Sequence, residues 1–120
     1  MSKSTAAAQT THYRYYNADH PAFCGHFPFR PLLPGVYYFR EILAMLPPEI
    51  ACLPHVIKQA KFIKAVTPDT GLTFLIDRSL PDNTGKSDVV TLVEDLAKNA
   101  VAKIHFIFNA GEKNAGQLPK

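Results

Sequence analysis

The spacing of apolar and polar residues along the chain predicts one buried helix. Over residues 36–46 the apolar side chains recur at the interval of one helical face. Pro34 suits the first turn of a helix, because proline has no N–H group that would be left unpaired there. Pro47 and Pro48 should end the helix, since proline cannot continue it. The pattern therefore predicts a helix of about three turns with an apolar face.

The rest of the chain has the pattern of β-strands. The aromatic residues 12–17 predict a first strand, and the segment after them is rich in proline and glycine and predicts a loop. Four further strands are predicted in the segments HVIKQAKFIKAV, LTFLIDRSL, DVVTLVEDL and AVAKIHFIFN. The last alternates most clearly, with Ile104 and Phe106 on one face and Lys103 and His105 on the other. One apolar helix and an antiparallel sheet must bury each other, so the sheet should wrap the helix.

The length of 120 residues fits one domain. Residues 1–10 are small and polar and are expected to form a disordered lead, and residues 110–120 a flexible tail. The predicted domain therefore spans residues 11–109. A small open sheet has exposed edges, and pairing of two edges in a dimer is a common way to cover them. We expect that pairing along the strand that contains residues 56–62.

Composition and charge narrow the classes of function. The net charge of +3 comes from scattered Lys and Arg, which does not indicate nucleic-acid binding but is compatible with acidic protein partners. No apolar stretch approaches the roughly 20 residues of a membrane span, and no secretory signal pattern is present, so we expect a cytoplasmic protein without a membrane partner. Cys24 and Cys52 lie in no metal-binding pattern, and we expect no metal site.

The most specific pattern is GHFPFRPLLPGV at residues 25–36. It closely resembles the G-H-F-P-x-x-P-x-x-P-G-V signature of the hotdog-fold 3-hydroxyacyl-(acyl carrier protein) dehydratases. The segment IKQAKFIKAVTPDTGL resembles the second signature of that family, and the resemblance covers roughly residues 13–108. The short chain is similar to the dehydratases of aryl-polyene-type pathways. The resemblance implies an α+β hotdog fold, in which an antiparallel sheet wraps one central α-helix, and a dimer with two active sites at its interface.

The resemblance also implies roles for individual residues. His26 would be the base that takes the α-proton of a 3-hydroxyacyl thioester, since the pKa of histidine lies near working pH. Backbone N–H groups near Gly35 and Val36 would hold the developing enolate oxygen. Phe27 and Tyr37 would contact the substrate, which is carried on phosphopantetheine by an acyl carrier protein, and no further cofactor is implied. The alternative for His26 is a loop histidine that hydrogen-bonds only to the backbone.

Arg40 occupies the position where the family has its acid, five residues after the motif glycine. A guanidinium stays protonated at neutral pH and is a poor proton donor. Glu41 is the next residue, but one residue turns a helix by about 100°. Three explanations stay open: Glu41 or a water replaces the acid, a partner chain supplies it opposite His26, or the pocket does no chemistry. Arg40 is itself either a surface charge or a contact for an anionic or carboxylate group in the pocket.

The leading function is a dehydratase, a lyase of fatty acid or polyketide/aryl-polyene-type biosynthesis. The alternatives are a non-catalytic or half-site subunit of a heteromeric dehydratase, and a hotdog thioesterase. The assembly is accordingly a homodimer or a heterodimer with a related subunit. Covalent catalysis by Cys24 is disfavoured, because residues so close to His26 in an extended loop come together only by accident. The other histidines are expected in surface or packing positions: His12, His20, His55 and His105.

Overall fold

A computed structural model describes residues 6–23 and 32–111 of the chain. The elements within them follow the predicted order of strand, loop, helix and four strands. They are β1 (Ala6–Tyr16), a short 3-10 helix (Pro21–Phe23), α1 (Gly35–Met45), a one-turn helix α2 (Pro48–Ala51), β2 (His55–Phe62), β3 (Thr70–Ser79), β4 (Lys86–Asp95) and β5 (Ala100–Asn109). The predicted α+β class is therefore confirmed.

The strands form one antiparallel sheet in the order β1-β3-β4-β5-β2. Consecutive strands β3, β4 and β5 are neighbours, which requires only short connections between them. The first and second strands of the chain lie at the two edges of the described sheet. β2 is exposed at seven of its eight positions, whereas the central strands alternate between buried and exposed residues.

The core lies between α1 and one face of the sheet. In β5 the predicted alternation is confirmed, because Ile104 and Phe106 are buried while Lys103 is exposed. Tyr38 and Ile42 of α1 are buried against this face. The predicted helix is thus present and packed, although it begins at Gly35. The inward side is centred on Tyr38 and Ile42. The prediction was wrong for Val36, which begins the predicted apolar face but is exposed, because the inward side of the helix is turned away from it.

One strand boundary differs from the sequence-based predictions, and one short helix was not predicted. β1 begins at Ala6, so residues 6–10 belong to the sheet rather than to a disordered lead. These residues are small and polar and show no apolar alternation, but backbone pairing with β3 holds them in strand conformation. The first helix ends at Met45, before Pro47 and Pro48 as predicted, and Pro48 opens α2, because proline is well suited to a first helical turn. Predictions for residues 1–5 and 112–120 lie outside the described residues.

Ile42→Ala tests whether α1 is packed on the sheet. Ile42 is 0% exposed, so we expect the substitution to lower the free energy of unfolding by about 2–5 kcal/mol through lost burial and a residual cavity. Leu96 is 67% exposed, and Leu96→Ala should change stability by less than about 0.5 kcal/mol. Urea unfolding followed by circular dichroism measures both. Equal effects of the two substitutions would contradict the packing of this helix.

Tyr38 makes the free energy of unfolding depend on pH in the alkaline range. Burial raises the pKa of the Tyr38 hydroxyl from its ordinary value of 10.0 to about 12. Above pH 10 the unfolded state loses a proton that the folded state keeps. The contribution of Tyr38 to the free energy of unfolding is therefore fully present below pH 10 and is lost as the pH rises towards 12. Between pH 9 and 11 we expect the wild type to lose about 1 kcal/mol more unfolding free energy than Tyr38→Phe. Identical losses in urea unfolding would contradict this assignment.

Candidate active site

The residues of α1 point towards three different surroundings. Tyr38 faces the sheet and is buried. On one flank, the Phe39 ring lies 6.2 Å from the ring of Phe62 in β2. On the opposite flank, Tyr37 and Glu41 approach β1. The predicted site residues on this helix are therefore divided between a flank near β2, a flank near β1 and an outward side.

Gly35 lies at the beginning of α1, directly against Phe62. A Cβ atom at position 35 would stand 2.9 Å from Cζ of the Phe62 ring. That distance is too short for an ordinary contact, so any larger residue would have to push the ring away. The Phe62 ring also stacks on Tyr38, with centroids 5.9 Å apart. Glycine thus permits close contact between the first turn of the helix and the edge strand β2.

The first turn of α1 presents backbone donors beside this contact. The Tyr37 N–H donates to the carbonyl oxygen of Pro34 at 3.0 Å. Within the described residues, the N–H groups of Gly35 and Val36 have no assigned acceptor. Free N–H groups at a helix start carry partial positive charge and can stabilise an oxyanion. The role of Gly35 and Val36 as oxyanion donors stays a prediction.

Arg40 lies on the outward side of α1, one turn after Val36. Its side chain is exposed, and Cζ of the guanidinium lies 5.4 Å from the centroid of the Tyr37 ring. This is the distance of a cation–π contact. Arg40 takes part in none of the ion pairs formed among the described residues. Its charge is consequently available to a ligand or to another chain.

Glu41 is held on the β1 flank. Nε of Arg14 donates to Oε1 of Glu41 at 3.2 Å, and the side chains are 43% and 16% exposed, respectively. Burial raises the pKa of Tyr37, and the neighbouring Glu41 carboxylate raises it further. The ion pair connects α1 to β1 on the side of the helix opposite Phe62. Glu41 and Arg40, although adjacent in sequence, therefore face different surroundings.

Tyr16 and His20 complete the β1 flank. The His20 ring lies 5.0 Å from Tyr16 and 5.4 Å from Tyr37, measured between centroids. Nδ1 of His20 accepts a hydrogen bond from the Ala22 N–H at 3.0 Å, so the unprotonated Nδ1 faces the backbone. The Tyr16 hydroxyl is buried without a hydrogen-bond partner in the described part of the chain, and burial raises the pKa of Tyr16. His20 thus has the packing role that was predicted.

The remaining described histidines also lie in packing or surface positions. The His55 ring packs on Phe108, with centroids 4.8 Å apart. Nε2 of His105 lies 2.7 Å from the Asp88 carboxylate, and Nε2 of His12 lies 3.1 Å from a threonine hydroxyl. Within residues 6–23 and 32–111, no group of His, Cys, Asp or Glu has an arrangement that could hold a metal ion. No helix of these residues is long and apolar enough to span a membrane.

The predicted site is only partly brought together by the described residues. His26, Phe27 and Cys24 lie outside them. Gly35 and Val36 are together at the start of α1, whereas Glu41 points to the other flank. The contact of Phe62 with the helix start was not predicted, although this residue belongs to the second family signature.

The ion pair between Arg14 and Glu41 was likewise not predicted from the sequence. The two residues are 27 positions apart. No local pattern connects a charge on the first strand with a charge on the helix.

Comparisons with known proteins agree with the predicted fold. The chain is similar to a structure of the dehydratase heterocomplex ApeI:P from Xenorhabdus doucetiae, with 17% identity, a TM-score of 0.64, and coverage of 88% of this chain and 90% of that chain. An (R)-hydratase from A. caviae involved in PHA biosynthesis matches with 11% identity, a TM-score of 0.64, and coverage of 88% and 96%. These likenesses confirm the hotdog fold.

A thioester hydrolase has the same fold. An acyl-CoA hydrolase from Staphylococcus aureus, solved with butyryl coenzyme A, matches with 13% identity, a TM-score of 0.59, and coverage of 84% of this chain and 62% of that chain. No curated protein sequence matches significantly. A family model described as ApeI-like, ApeI dehydratase, matches residues 2–105. Because that match extends over most of the sequence, the chain belongs to the ApeI-like dehydratase family, as the resemblance predicted.

Proposed function

We propose that this chain is a subunit of a dehydratase that acts on 3-hydroxyacyl thioesters carried on the phosphopantetheine of an acyl carrier protein. His26 takes the α-proton, and the thioester oxygen accepts the resulting negative charge. The 3-hydroxyl group then leaves as water after it receives a proton from an acid, which creates the double bond. Membership of the ApeI-like dehydratase family is the observation that carries this proposal. The pathway would be fatty acid or polyketide/aryl-polyene-type biosynthesis in the cytoplasm, with no further cofactor.

The start of α1 supports a binding site for the thioester. We infer that the Gly35 and Val36 N–H groups hold the developing oxyanion, because N–H groups at a helix start carry partial positive charge. Val36 and Phe62 are 62% and 51% exposed, so the same place offers apolar surface. Such surface suits an acyl chain or a second subunit. We therefore place Gly35 and Val36 in contact with substrate, together with Phe27 from the motif segment. A contact of Tyr37 with substrate would have to come from the β1 flank, where its ring packs on Tyr16 and His20.

The acid is the missing part of this site. Arg40 is exposed on the outward side of α1, and Glu41 is paired with Arg14 on the β1 flank. We propose that a partner subunit supplies the acid opposite His26, and that Arg40 contacts an anionic or carboxylate group there. The similar structure named ApeI:P is a heterocomplex, which supports a related subunit as the partner. The rival assignment keeps Glu41 as the acid within this chain.

A thioesterase is the second candidate function. The similarity to the Staphylococcus aureus acyl-CoA hydrolase favours it, because that enzyme shares the fold. A hydrolase of this kind needs a carboxylate to activate water. On α1 the carboxylate is Glu41, which the Arg14 guanidinium already holds at 3.2 Å. We rank this function below dehydration, and an assay that separates water loss from thioester cleavage distinguishes the two.

Arg40→Glu tests the missing acid. If a partner subunit normally supplies the proton, the purified chain alone should dehydrate a 3-hydroxyacyl thioester poorly, with a deficit of about 10²–10⁴-fold. Arg40→Glu should then raise its turnover, measured by absorbance of the enoyl product at high protein concentration and raised salt, where two copies of the chain can pair. Arg40→Gln is the matched control, since it removes the charge without adding an acid and should give no gain. The gain should also disappear when His26→Ala is combined with Arg40→Glu, because no base remains.

Glu41→Gln separates the rival assignment. If Glu41 is the acid, the wild type alone turns over well and this substitution abolishes turnover. If Glu41 has only its structural ion pair, the variant keeps the weak activity of the wild type and loses some stability. Strong wild-type turnover that survives both Glu41→Gln and His26→Ala would show that the site is wrongly assigned. An absence of turnover in the wild type and in Arg40→Glu, with and without related subunits, would favour a non-catalytic chain.

A further inference from the structure

The edge strand β2 combines an apolar surface with unpaired positive charge. Ile57 and Phe62 are 44% and 51% exposed, and Val56 is 61% exposed. The strand also carries Lys58 and Lys61, both exposed, and contains no acidic residue. Apolar exposure on a sheet edge favours pairing with another strand, whereas lysine on an edge opposes it. A strand that pairs with β2 must therefore suit both its apolar residues and its lysines.

A third lysine extends this positive charge across the sheet. Lys61 of β2 pairs directly with Lys103 of β5, so their side chains lie on the same face. Like charges directly opposite one another destabilise a sheet. In the described part of the chain, no carboxylate lies within ion-pairing distance of Lys58, Lys61 or Lys103. We call these three residues the lysine cluster.

Pairing β2 with a second copy of itself would double the charge of the lysine cluster. We consider two antiparallel copies of β2 whose two-fold axis passes near the middle of the strand. Both lysines of β2 then lie near that axis. One symmetric register, centred between residues 59 and 60, sets Lys58 of each copy directly opposite Lys61 of the other. Registers shifted by one residue keep the lysine charges of the two copies within roughly 10 Å, the distance over which exposed charges interact at moderate ionic strength. Repulsion therefore accompanies symmetric pairing near the middle of β2.

We propose that the lysine cluster directs β2 towards a related hotdog chain with acidic side chains on its own edge strand, rather than towards a second copy of this chain. The apolar residues supply the attraction, and the lysines supply the selection, since specificity needs a repulsive element against the wrong partner. This inference rests on the edge-to-edge dimer of the proposed function. Because it concerns assembly alone, it can fail or succeed independently of catalysis.

A charge-reversed copy of the chain is a suitable probe for this selection. The double variant Lys58→Glu/Lys61→Glu keeps the apolar residues of β2 and reverses its charge. When it is mixed with wild type labelled with ¹⁵N, so that the mixed dimer differs in mass from both homodimers, native mass spectrometry should show the mixed dimer about fivefold above the statistical proportion at low salt. The excess should shrink as salt rises, because exposed charges are screened. Lys58→Thr/Lys61→Thr should form more homodimer than wild type at low salt.

The matched control is Arg78→Glu/Lys98→Glu, which makes the same change in net charge away from β2. Mixed with wild type, it should give only the statistical proportion of mixed dimer. An equal excess with this control would show that net charge, not the lysine cluster, decides pairing and would overturn the proposal. A statistical mixture with Lys58→Glu/Lys61→Glu, or an absence of dimers in every sample, would also overturn it. The proposal would also be overturned if Lys58→Glu/Lys61→Glu left pairing unchanged but abolished binding of the acyl carrier protein. That result would assign the lysines to docking of the carrier.

Discussion

The packing of α1 on the sheet is the interaction on which the rest of this structure depends. Tyr38 and Ile42 lie over an apolar face that includes Phe74 and Phe106, and all four residues are almost wholly buried. A sheet of this size has no other large apolar element in the described residues to cover that face. Once the inward side of the helix is set, the directions of its other residues follow from the helical repeat.

This dependence explains why adjacent residues on α1 have different surroundings. Arg40 is turned outward, and Glu41 is turned towards Arg14, because one residue along a helix is a rotation of about 100°. A carboxylate at position 41 therefore does not simply replace one at position 40. The Arg14 ion pair also adds a second connection between α1 and β1, on the flank away from β2. The helix is thereby held to β1 by an ion pair on one flank and to β2 by the packing of Phe39 on Phe62 on the other.

The elements with strong periodicity could be predicted from sequence. β5 alternates from Ala102 to its end, and α1 has apolar residues at helical spacing between two prolines. The motif at residues 25–36 likewise indicates the family by its residues and their spacing alone. β1 could not be bounded in the same way, because residues 6–10 are strand only through their pairing with β3. The contacts of Glu41 with Arg14 and of Gly35 with Phe62 join distant parts of the chain, and no local pattern encodes them.

The exposed edge of β2 has a consequence for the chain before it is assembled. A newly made chain carries Ile57, Phe62 and Ile63 on its surface, and such an edge is a template for aggregation. Lys58 and Lys61 stand among these apolar residues and keep identical chains apart while no partner is bound. The same two lysines would then protect solubility during the interval between synthesis and assembly. A cell that makes this subunit in excess would therefore accumulate separate chains that stay available for capture, rather than insoluble material.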